Sequence, residues 1–233
     1  HAPVPFDPQR FGRHTPDAPR LVAFFEQMEF PSLIEKIQVP ASPDAADYHA
    51  VTDPTAFEAL LTRLRKAREF ALDLETTSAN PMLADIVGIA FALREGEAFY
   101  IPAHGPKTLV RRESLFDAPT ASSLDAVLDR LRPFLEDPRT AKGGQNIKYD
   151  LTVLAQHGIE LAGPAFDTMV ESYLLDPSQR QHNLELLALK HLNIKKTPIE
   201  DLIGKGKDQI SMADVPLDRI APYCCQDADL ALR

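Results

Sequence analysis

The chain has 233 residues, of which 44% are hydrophobic and 25% charged, and these are the proportions of a globular protein rather than a disordered one. It carries 25 Lys and Arg residues against 34 Asp and Glu residues, which gives a formal net charge of −9. This charge argues against a passive nucleic-acid coat, whose binding face is usually basic, but not against an enzyme that holds metal ions in carboxylates.

The N-terminal part of the chain predicts an arm and linker with a short helical segment. In chain order these are a Pro-, Arg- and Asp-rich arm over 1–20, a helical segment over 21–37 interrupted at Pro31, and a loop-like stretch over 38–52. We therefore predict two parts, the arm over residues 1–47 and a main domain over 48–233. Since the chain does not begin with Met, we expect it to be a fragment of a longer protein.

The main domain begins with a helix that three consecutive strands follow. Asp53 before Pro54 is the pattern of a helix start, and the helix is predicted to extend to about Ala67. Hydrophobic strands linked by short connections are predicted over 70–75, 86–93 and 98–101. Because short connections join antiparallel neighbours, these strands predict a three-strand meander.

The second half of the domain alternates helices with a short strand. The helices are predicted over 124–135, 147–157, 167–175, 183–192 and from 217 to the end, and the strand over 140–144. A meander followed by this alternation predicts an α/β fold, with a mixed sheet flanked by helices. No run of about 18 apolar residues and no secretory signal is visible, so we expect no membrane association and a cytoplasmic location.

Two carboxylates stand out in the first predicted strand. Asp73 and Glu75 are two residues apart, so their side chains lie on the same face of the strand. Carboxylates in an otherwise apolar strand are costly to bury without a cationic partner. Mg²⁺ and Mn²⁺ prefer oxygen ligands, which makes a metal site one interpretation. The alternative is an acidic edge that faces solvent.

Two further pairs have helical spacing. Asn146 and Asp150 are four residues apart at the start of one predicted helix, and Tyr223 and Asp227 are four apart on the last one. Taken alone, each pair favours an ordinary structural interpretation. Asn146 is suited to cap its helix, Asp150 is suited to the first turn, and Tyr223 is suited to bond Asp227.

The three patterns together, in this order, resemble the 3′→5′ proofreading exonuclease domain of family A (DNA polymerase I type) DNA polymerases. This is the tyrosine branch of the DEDD exonucleases, which have a ribonuclease H-like fold. The resemblance covers about residues 55–233. Further segments that resemble the family are 144–150, 166–169, 171–175 and 204–209.

The resemblance implies a two-metal-ion hydrolase that releases nucleoside 5′-monophosphates from DNA 3′ ends. Two divalent ions, Mg²⁺ or Mn²⁺, would lie about 3.5–4 Å apart at the scissile phosphate. Asp73 would be a ligand of both ions. Glu75 and Asp227 would complete the coordination of the first ion, and Asp150 would bind the second. Tyr223 would orient the attacking water, since a phenol with an ordinary pKa near 10 is a poor base at neutral pH.

The substrate implied is a single-stranded or frayed DNA 3′ end, because a paired end cannot reach buried metal ions. In the family, the counterparts of Gln145, Asn146 and Tyr149 face the strand, and the alternative for these residues is helix capping and core packing. Lys205 and Lys207 are suited to contact phosphate, and the alternative is a solvated loop.

Three positions depart from the family pattern. The bases of the terminal nucleotides are commonly wedged by a Leu and an aromatic residue, and the matching positions here are Ala79 and Ile199. Smaller wedges predict weaker stacking on the last base. Pro222 directly precedes Tyr223, and proline inside a helix removes a backbone hydrogen bond and kinks the helix.

The complete set of acids predicts an active exonuclease. The resemblance further implies a covalently linked polymerase domain and association with the nucleoid. Two alternatives remain open from the sequence. One is a ribonuclease D-like 3′→5′ RNA exonuclease, which shares the tyrosine motif. The other is a structural spacer of a polymerase, with an idle site.

Overall fold

The computed structural model describes residues 17–28, 30, 33, 37, 46–103 and 124–233. Contacts divide the chain into two units, residues 1–41 and 42–233. In the first unit, helix α1 spans Ala18–Gln27 and begins before the predicted start at residue 21. Residues 1–16 of the predicted arm and most of 29–45 lie outside the described residues, and the predicted boundary between 47 and 48 stays a prediction.

The second unit is built on a mixed sheet of six strands in the order β1-β4-β3-β2-β5-β6. Strands β2, β3 and β4 are antiparallel neighbours, which confirms the predicted meander. Strand β1 pairs parallel to β4, β5 pairs parallel to β2, and β6 pairs parallel to β5. The strands are β1 (Asp47–Ala50), β2 (Glu69–Thr76), β3 (Ile86–Arg94), β4 (Glu97–Pro102), β5 (Ala141–Gly144) and β6 (Pro164–Asp167).

The two edge strands, β1 and β6, were not predicted. Strand β1 has the sequence Asp-Tyr-His-Ala and lies in the stretch that was expected to be a loop. Strand β6 begins with a proline and has no buried residue. Neither has the apolar run or alternation by which a strand is predicted, because an edge strand pairs through its backbone on one side only.

Seven helices of the second unit flank the sheet within the described residues. Three of them begin at predicted caps, Asp53, Asp167 and Asn183. The Asp53 carboxylate, for example, accepts hydrogen bonds from the Thr55 and Ala56 amides, both at 2.9 Å. The helix predicted over 183–192 is only one α-helical turn followed by a π-helical turn over Ala188–Leu192. The helices are α2 (Pro54–Leu64), α3 (Leu124–Leu135), α4 (Ile147–Gln156), α5 (Thr168–Leu175), α6 (Leu184–Leu187), α7 (Ile199–Ile203) and α8 (Leu217–Leu232).

The alternation of side chains along β2 sends two sets of residues to opposite faces of the sheet. Phe70, Leu72 and Leu74 are buried in a core that α2, α3 and α4 share. Ala71 packs on the other face, in a second core built mainly with α8. Asp73 and Glu75, which have the same parity as Ala71, therefore lie under α8.

Helix α8 continues through Pro222 over its whole length of 16 residues. Pro222 lies on the exposed side of the helix, where water can satisfy the carbonyl that loses its backbone partner. The helix contacts strands β1 to β5. No helix in the described part of the chain is both long and apolar enough to cross a membrane.

A buried carboxylate anchors the C-terminal half of α8. Asp229 is 1% exposed and accepts hydrogen bonds from the Tyr48 hydroxyl at 2.8 Å and the Gly96 amide at 2.7 Å. Arg233 Nε lies 3.1 Å from the same carboxylate. One side chain therefore joins α8 to β1 and to the turn between β3 and β4.

We expect Asp229→Ala to lower the free energy of unfolding by about 3–5 kcal/mol, because it leaves the partly buried guanidinium of Arg233, a phenol and an amide without their buried partner. Denaturant unfolding monitored by circular dichroism measures this loss. Asp218→Ala is the matched control, since Asp218 is exposed in the first turn of the same helix and should cost less than about 1 kcal/mol. Equal losses in the two variants would contradict the anchoring role.

Candidate active site

Three of the predicted acids meet between β2 and α8. Carboxylate oxygens of Asp73, Glu75 and Asp227 all lie within 4.8 Å of one another. Glu75 is 8% exposed, and the Asp227 side chain is 13% exposed. We call these three residues the carboxylate trio. Strand β2 supplies two members on one face, and α8 brings the third from a position about 150 residues later in the chain.

Asp150 lies beside the trio, but it does not belong to the group whose carboxylate oxygens all lie within 4.8 Å of one another. It is 3% exposed and accepts a hydrogen bond from the backbone of Leu74. Its charge interacts with those of Asp73 and Glu75. Because β5 pairs parallel to β2 and leads directly into α4, the first turn of that helix brings Asp150 close to the trio.

Burial in this cluster raises the pKa of every one of the four carboxyls. Desolvation raises the pKa of Asp73 to about 6. Desolvation and the nearby charge of Asp73 raise the pKa of Asp227 to about 8. The same two causes, in the same order, hold the pKa values of Glu75 and Asp150 well above their ordinary range. Like charges without a cation are therefore costly here.

A lysine that no motif pointed to lies in the same cluster. Lys196 is 6% exposed, and its Nζ lies 3.0 Å from Asp227 Oδ1. The same nitrogen donates a hydrogen bond of 2.8 Å to the Tyr223 hydroxyl. In the sequence, Lys196 is only the second member of a Lys-Lys pair after a helix. Nothing local distinguishes it from its exposed neighbour Lys195.

Tyr223 lies one turn before Asp227 on α8 and is 7% exposed. Burial raises the pKa of its phenol above the ordinary value, and the charges of Asp227 and Glu75 act in the same direction. The phenol therefore keeps its proton at neutral pH. It can position a ligand by hydrogen bonding, but it cannot act as a base.

The chemistry of the cluster fits divalent cations. All four acids offer carboxylate oxygens, the ligand type that Mg²⁺ and Mn²⁺ prefer. Asp73 Oδ2 is buried and has no hydrogen-bond partner among the described residues. A buried carboxylate oxygen without a partner is unfavourable unless a cation compensates it.

Of the candidates for substrate contact, Gln145 and Tyr149 have internal partners. The Gln145 amide nitrogen donates to the His182 carbonyl at 2.8 Å, and its amide oxygen accepts from Thr168. The Tyr149 hydroxyl lies 2.5 Å from Thr76 Oγ1, at the end of β2. These contacts hold the walls of the site.

Asn146 departs from the capping interpretation. It adopts the left-handed conformation with φ 60°, and its side chain makes no cap hydrogen bond. Its backbone amide instead donates to Asp167 Oδ1 at 3.0 Å. A non-glycine residue in this region is uncommon and stays there only when its surroundings impose it.

The remaining candidates are exposed at the surface. Lys205 and Lys207 alternate with Gly204 and Gly206, whose φ values are 82° and 63°. Ile199 is 39% exposed at the start of α7. Ala79, the other position of the expected wedge, is exposed in the loop after β2.

A second group with metal-ligand types lies away from the trio. Asp47, His49 and Glu97 have ligand atoms within 4.8 Å of one another. Burial acts to raise the pKa of Glu97, but hydrogen bonds from Arg63 and Arg94 outweigh it, and the pKa lies below its ordinary value. The Glu97 carboxylate therefore already has cationic partners.

Comparison with known proteins identifies the family. A family model described as 3′-5′ exonuclease matches residues 48–233, which include the trio, Asp150 and Tyr223. The chain belongs to this 3′→5′ exonuclease family. It is therefore a nuclease domain, and the resemblance to the exonuclease domain of DNA polymerase I type enzymes is confirmed.

The relatives are longer proteins. The chain is 37% identical to DNA polymerase I of Pseudomonas aeruginosa over 94% of its own length and 24% of that protein. It is 38% identical to DNA polymerase I of Chloroflexus aurantiacus over 94% of its own length and 22% of that protein. The chain thus spans about a quarter of the length of these relatives.

The fold comparison confirms the ribonuclease H-like α/β architecture. The structure of Escherichia coli ribonuclease D, an exoribonuclease involved in structured RNA processing, aligns with a TM-score of 0.56 and 19% identity. The alignment covers 80% of this chain and 42% of that one.

The raised pKa of Asp227 predicts how the stability of the metal-free domain depends on pH. Between the ordinary value of 3.8 and about 8, the folded state holds a proton that the unfolded state has lost. The unfolded state therefore binds fewer protons, and stability falls as pH rises through this window. We expect the Tm of the chelator-treated chain to fall by about 5 °C or more between about pH 5 and pH 8.

The control is Asp227→Asn, which cannot lose that proton and should show a smaller fall in Tm. Mn²⁺ should raise the Tm of the unsubstituted chain more at the higher pH, because the carboxyl groups that bind the ion must first lose their protons. Scanning calorimetry measures both effects. The same pH dependence in the two proteins would contradict the assigned pKa shift.

Proposed function

We propose that this domain removes nucleoside 5′-monophosphates from DNA 3′ ends as the proofreading domain of a DNA polymerase I. The observation that carries the proposal is the meeting of Asp73, Glu75 and Asp227 within 4.8 Å, with Asp150 beside them, inside a family match over 48–233. Four acids at one place, two of them buried and two largely buried, are costly unless they bind cations, so their cost argues for a functional role.

Two divalent ions, Mg²⁺ or Mn²⁺, are the cofactors that this set of acids would hold. When bound, they would lower the pKa of water and stabilise the charge of a scissile phosphate. Asp73, on the central strand, is suited to be the shared ligand because its charge interacts with those of Glu75, Asp150 and Asp227. Glu75 and Asp227 would complete one ion site, and Asp150 would hold the other.

Tyr223 would orient the attacking water. It is buried one helical turn from Asp227, and its raised pKa keeps the phenol protonated. The proton of the water would therefore pass to solvent or phosphate oxygen rather than to the phenol. The role of Tyr223 is positioning, as expected from its ordinary chemistry.

A single-stranded or frayed DNA 3′ end is the substrate that such a site would take. Asn146, whose side chain does not cap its helix, is suited to contact the strand, and Gln145 and Tyr149 would support it through their internal hydrogen bonds. Lys205 and Lys207 would meet phosphates from an exposed loop, and Ile199 would lie against the terminal base. Selectivity for mismatched ends follows, since unpairing costs least there.

The relatives suggest the context of the domain. They are DNA polymerase I proteins of which this chain matches about a quarter. We therefore propose a covalently linked polymerase domain in the parent chain, a cytoplasmic location and association with the nucleoid. We further propose that residues 1–47 form an arm and 48–233 the exonuclease domain.

The structural likeness to ribonuclease D favours one alternative, a 3′→5′ exonuclease that acts on RNA. The other alternative, a spacer with an idle site, is disfavoured because clustering four largely buried acids would destabilise such a domain without serving a function. The greater sequence likeness to DNA polymerase I supports DNA as substrate.

We expect the chain to shorten 5′-labelled single strands of DNA with Mg²⁺ or Mn²⁺, releasing mononucleotides, and to stop when a chelator is added. A mismatched 3′ end should be degraded faster than a matched one, and RNA more slowly than DNA. Gel electrophoresis follows the strand, and chromatography identifies the product.

Asp73→Asn should lower the rate at least about a hundredfold. Even mutation of residues that only hydrogen-bond to metal ligands typically lowers metal affinity or activity by about 10–100-fold. Asp85→Asn is the control, because Asp85 is an exposed acid on the same hairpin and should retain activity. Metal-dependent release of mononucleotides that persists in Asp73→Asn would refute the assignment, and faster degradation of RNA would favour the ribonuclease alternative.

A further inference from the structure

Lys196 places an ammonium inside the cluster of acids. Its Nζ lies 3.0 Å from Asp227 Oδ1, 2.8 Å from the Tyr223 hydroxyl and 3.9 Å from the centroid of the Tyr223 ring. The side chain is 4% exposed. One buried cation thus contacts both a member of the carboxylate trio and the tyrosine.

The backbone holds Lys196 in this position. It lies between the π-helical turn that ends at Leu192 and the start of α7. The amide of the next residue, Thr197, donates to Gln226 Oε1 on α8 at 3.1 Å. Lys196 Nζ also lies 3.3 Å from the Thr197 carbonyl. The segment is therefore docked on the helix that carries Tyr223 and Asp227.

The contact with Tyr223 has a direction. An ammonium only donates hydrogen bonds, so the phenol oxygen is the acceptor at 2.8 Å. The hydrogen of the phenol must then point to another acceptor. Lys196 therefore orients the Tyr223 hydroxyl so that it donates its hydrogen to an oxygen atom in the site.

The contact with Asp227 has an electrostatic consequence. A positive charge at 3.0 Å lowers the repulsion among the acids when no metal ion is bound. The same charge repels any divalent ion that the trio receives. Because the site is largely buried, salt screens this repulsion only weakly.

Resting on the proposed function, we propose that Lys196 is a positioning residue of this nuclease site. It orients the Tyr223 hydroxyl as a hydrogen-bond donor to the reacting water, and its charge sets a low affinity of the carboxylate trio for divalent ions.

The charge effect is tested by titrating the whole 233-residue chain with Mn²⁺ in a calorimeter, without substrate. Lys196→Met should bind Mn²⁺ at least about tenfold more tightly than the unsubstituted chain, because one repelling charge is gone. Lys195→Met, which removes an exposed lysine beside it, should bind as the unsubstituted chain does. Circular dichroism checks that each variant folds, and Lys196→Gln serves as a second neutral variant.

The two ideas fail in different ways. If Mn²⁺ binds the unsubstituted chain and neither Lys196→Met nor Lys196→Gln changes its affinity by more than about twofold, the inference is wrong and the proposed function stands. If the unsubstituted chain binds no Mn²⁺, the proposed function fails and the inference falls with it.

The orientation effect is tested by a double-mutant cycle on kcat at saturating Mn²⁺. Lys196→Met should lower kcat at least about tenfold when Tyr223 is present, and should have little further effect in Tyr223→Phe, which has no hydroxyl to orient. Lys196→Gln, which keeps a donor, should retain more activity than Lys196→Met. An equal loss in both backgrounds would overturn the role through Tyr223.

Discussion

Three carboxylates held within 4.8 Å of one another in a largely buried position set the condition that the rest of this domain must meet. Such a cluster is unfavourable by desolvation and by like-charge repulsion. Desolvation raises the pKa of Asp73, and desolvation together with the charge of Asp73 raises the pKa of Asp227. It persists because rigid elements on both sides impose it. Within the described residues, Lys196 is the cation that contacts it.

Each face of the sheet has its own task. On one face, Leu72 and Leu74 of β2 pack into the larger core, which holds the strand in place. On the other face, α8 brings Tyr223 and Asp227 close to β2. Asp229 of the same helix accepts hydrogen bonds from β1 and from the β3–β4 turn. Two aspartates two residues apart on one helix therefore divide function and anchoring between them.

Much of this arrangement could be predicted from the sequence. The meander, the capped helices and α8 follow from apolar patterns and from Asp53 and Asp167, which act locally. The edge strands β1 and β6 could not, because an edge strand is defined by its pairing partner and carries no strong pattern of its own. The one-turn α6 with its π-helical continuation also escaped prediction, since the helical period of residues 183–192 does not reveal a change in hydrogen-bond register.

The candidate site was predictable where the sequence spacing of two residues places both on one face of a strand or helix. Asp73 and Glu75 share a strand face, and Tyr223 and Asp227 share a helix face, whereas their meeting depended on resemblance to a family. Lys196 was missed because its position depends on the docking of a loop on α8. The hydrogen bond that docks this loop joins Thr197 to Gln226, and these two residues are far apart in sequence. The conformation of Asn146 was equally hidden, since a left-handed residue at a helix start looks like a normal cap.

Anomalous diffraction from crystals of the domain grown with Mn²⁺ tests the central claim most directly, because it locates the ions without relying on activity. The account predicts one peak bounded by carboxylate oxygens of Asp73, Glu75 and Asp227, and a second peak between Asp73 and Asp150. The absence of peaks there, or a peak only at Asp47 and His49, would contradict it.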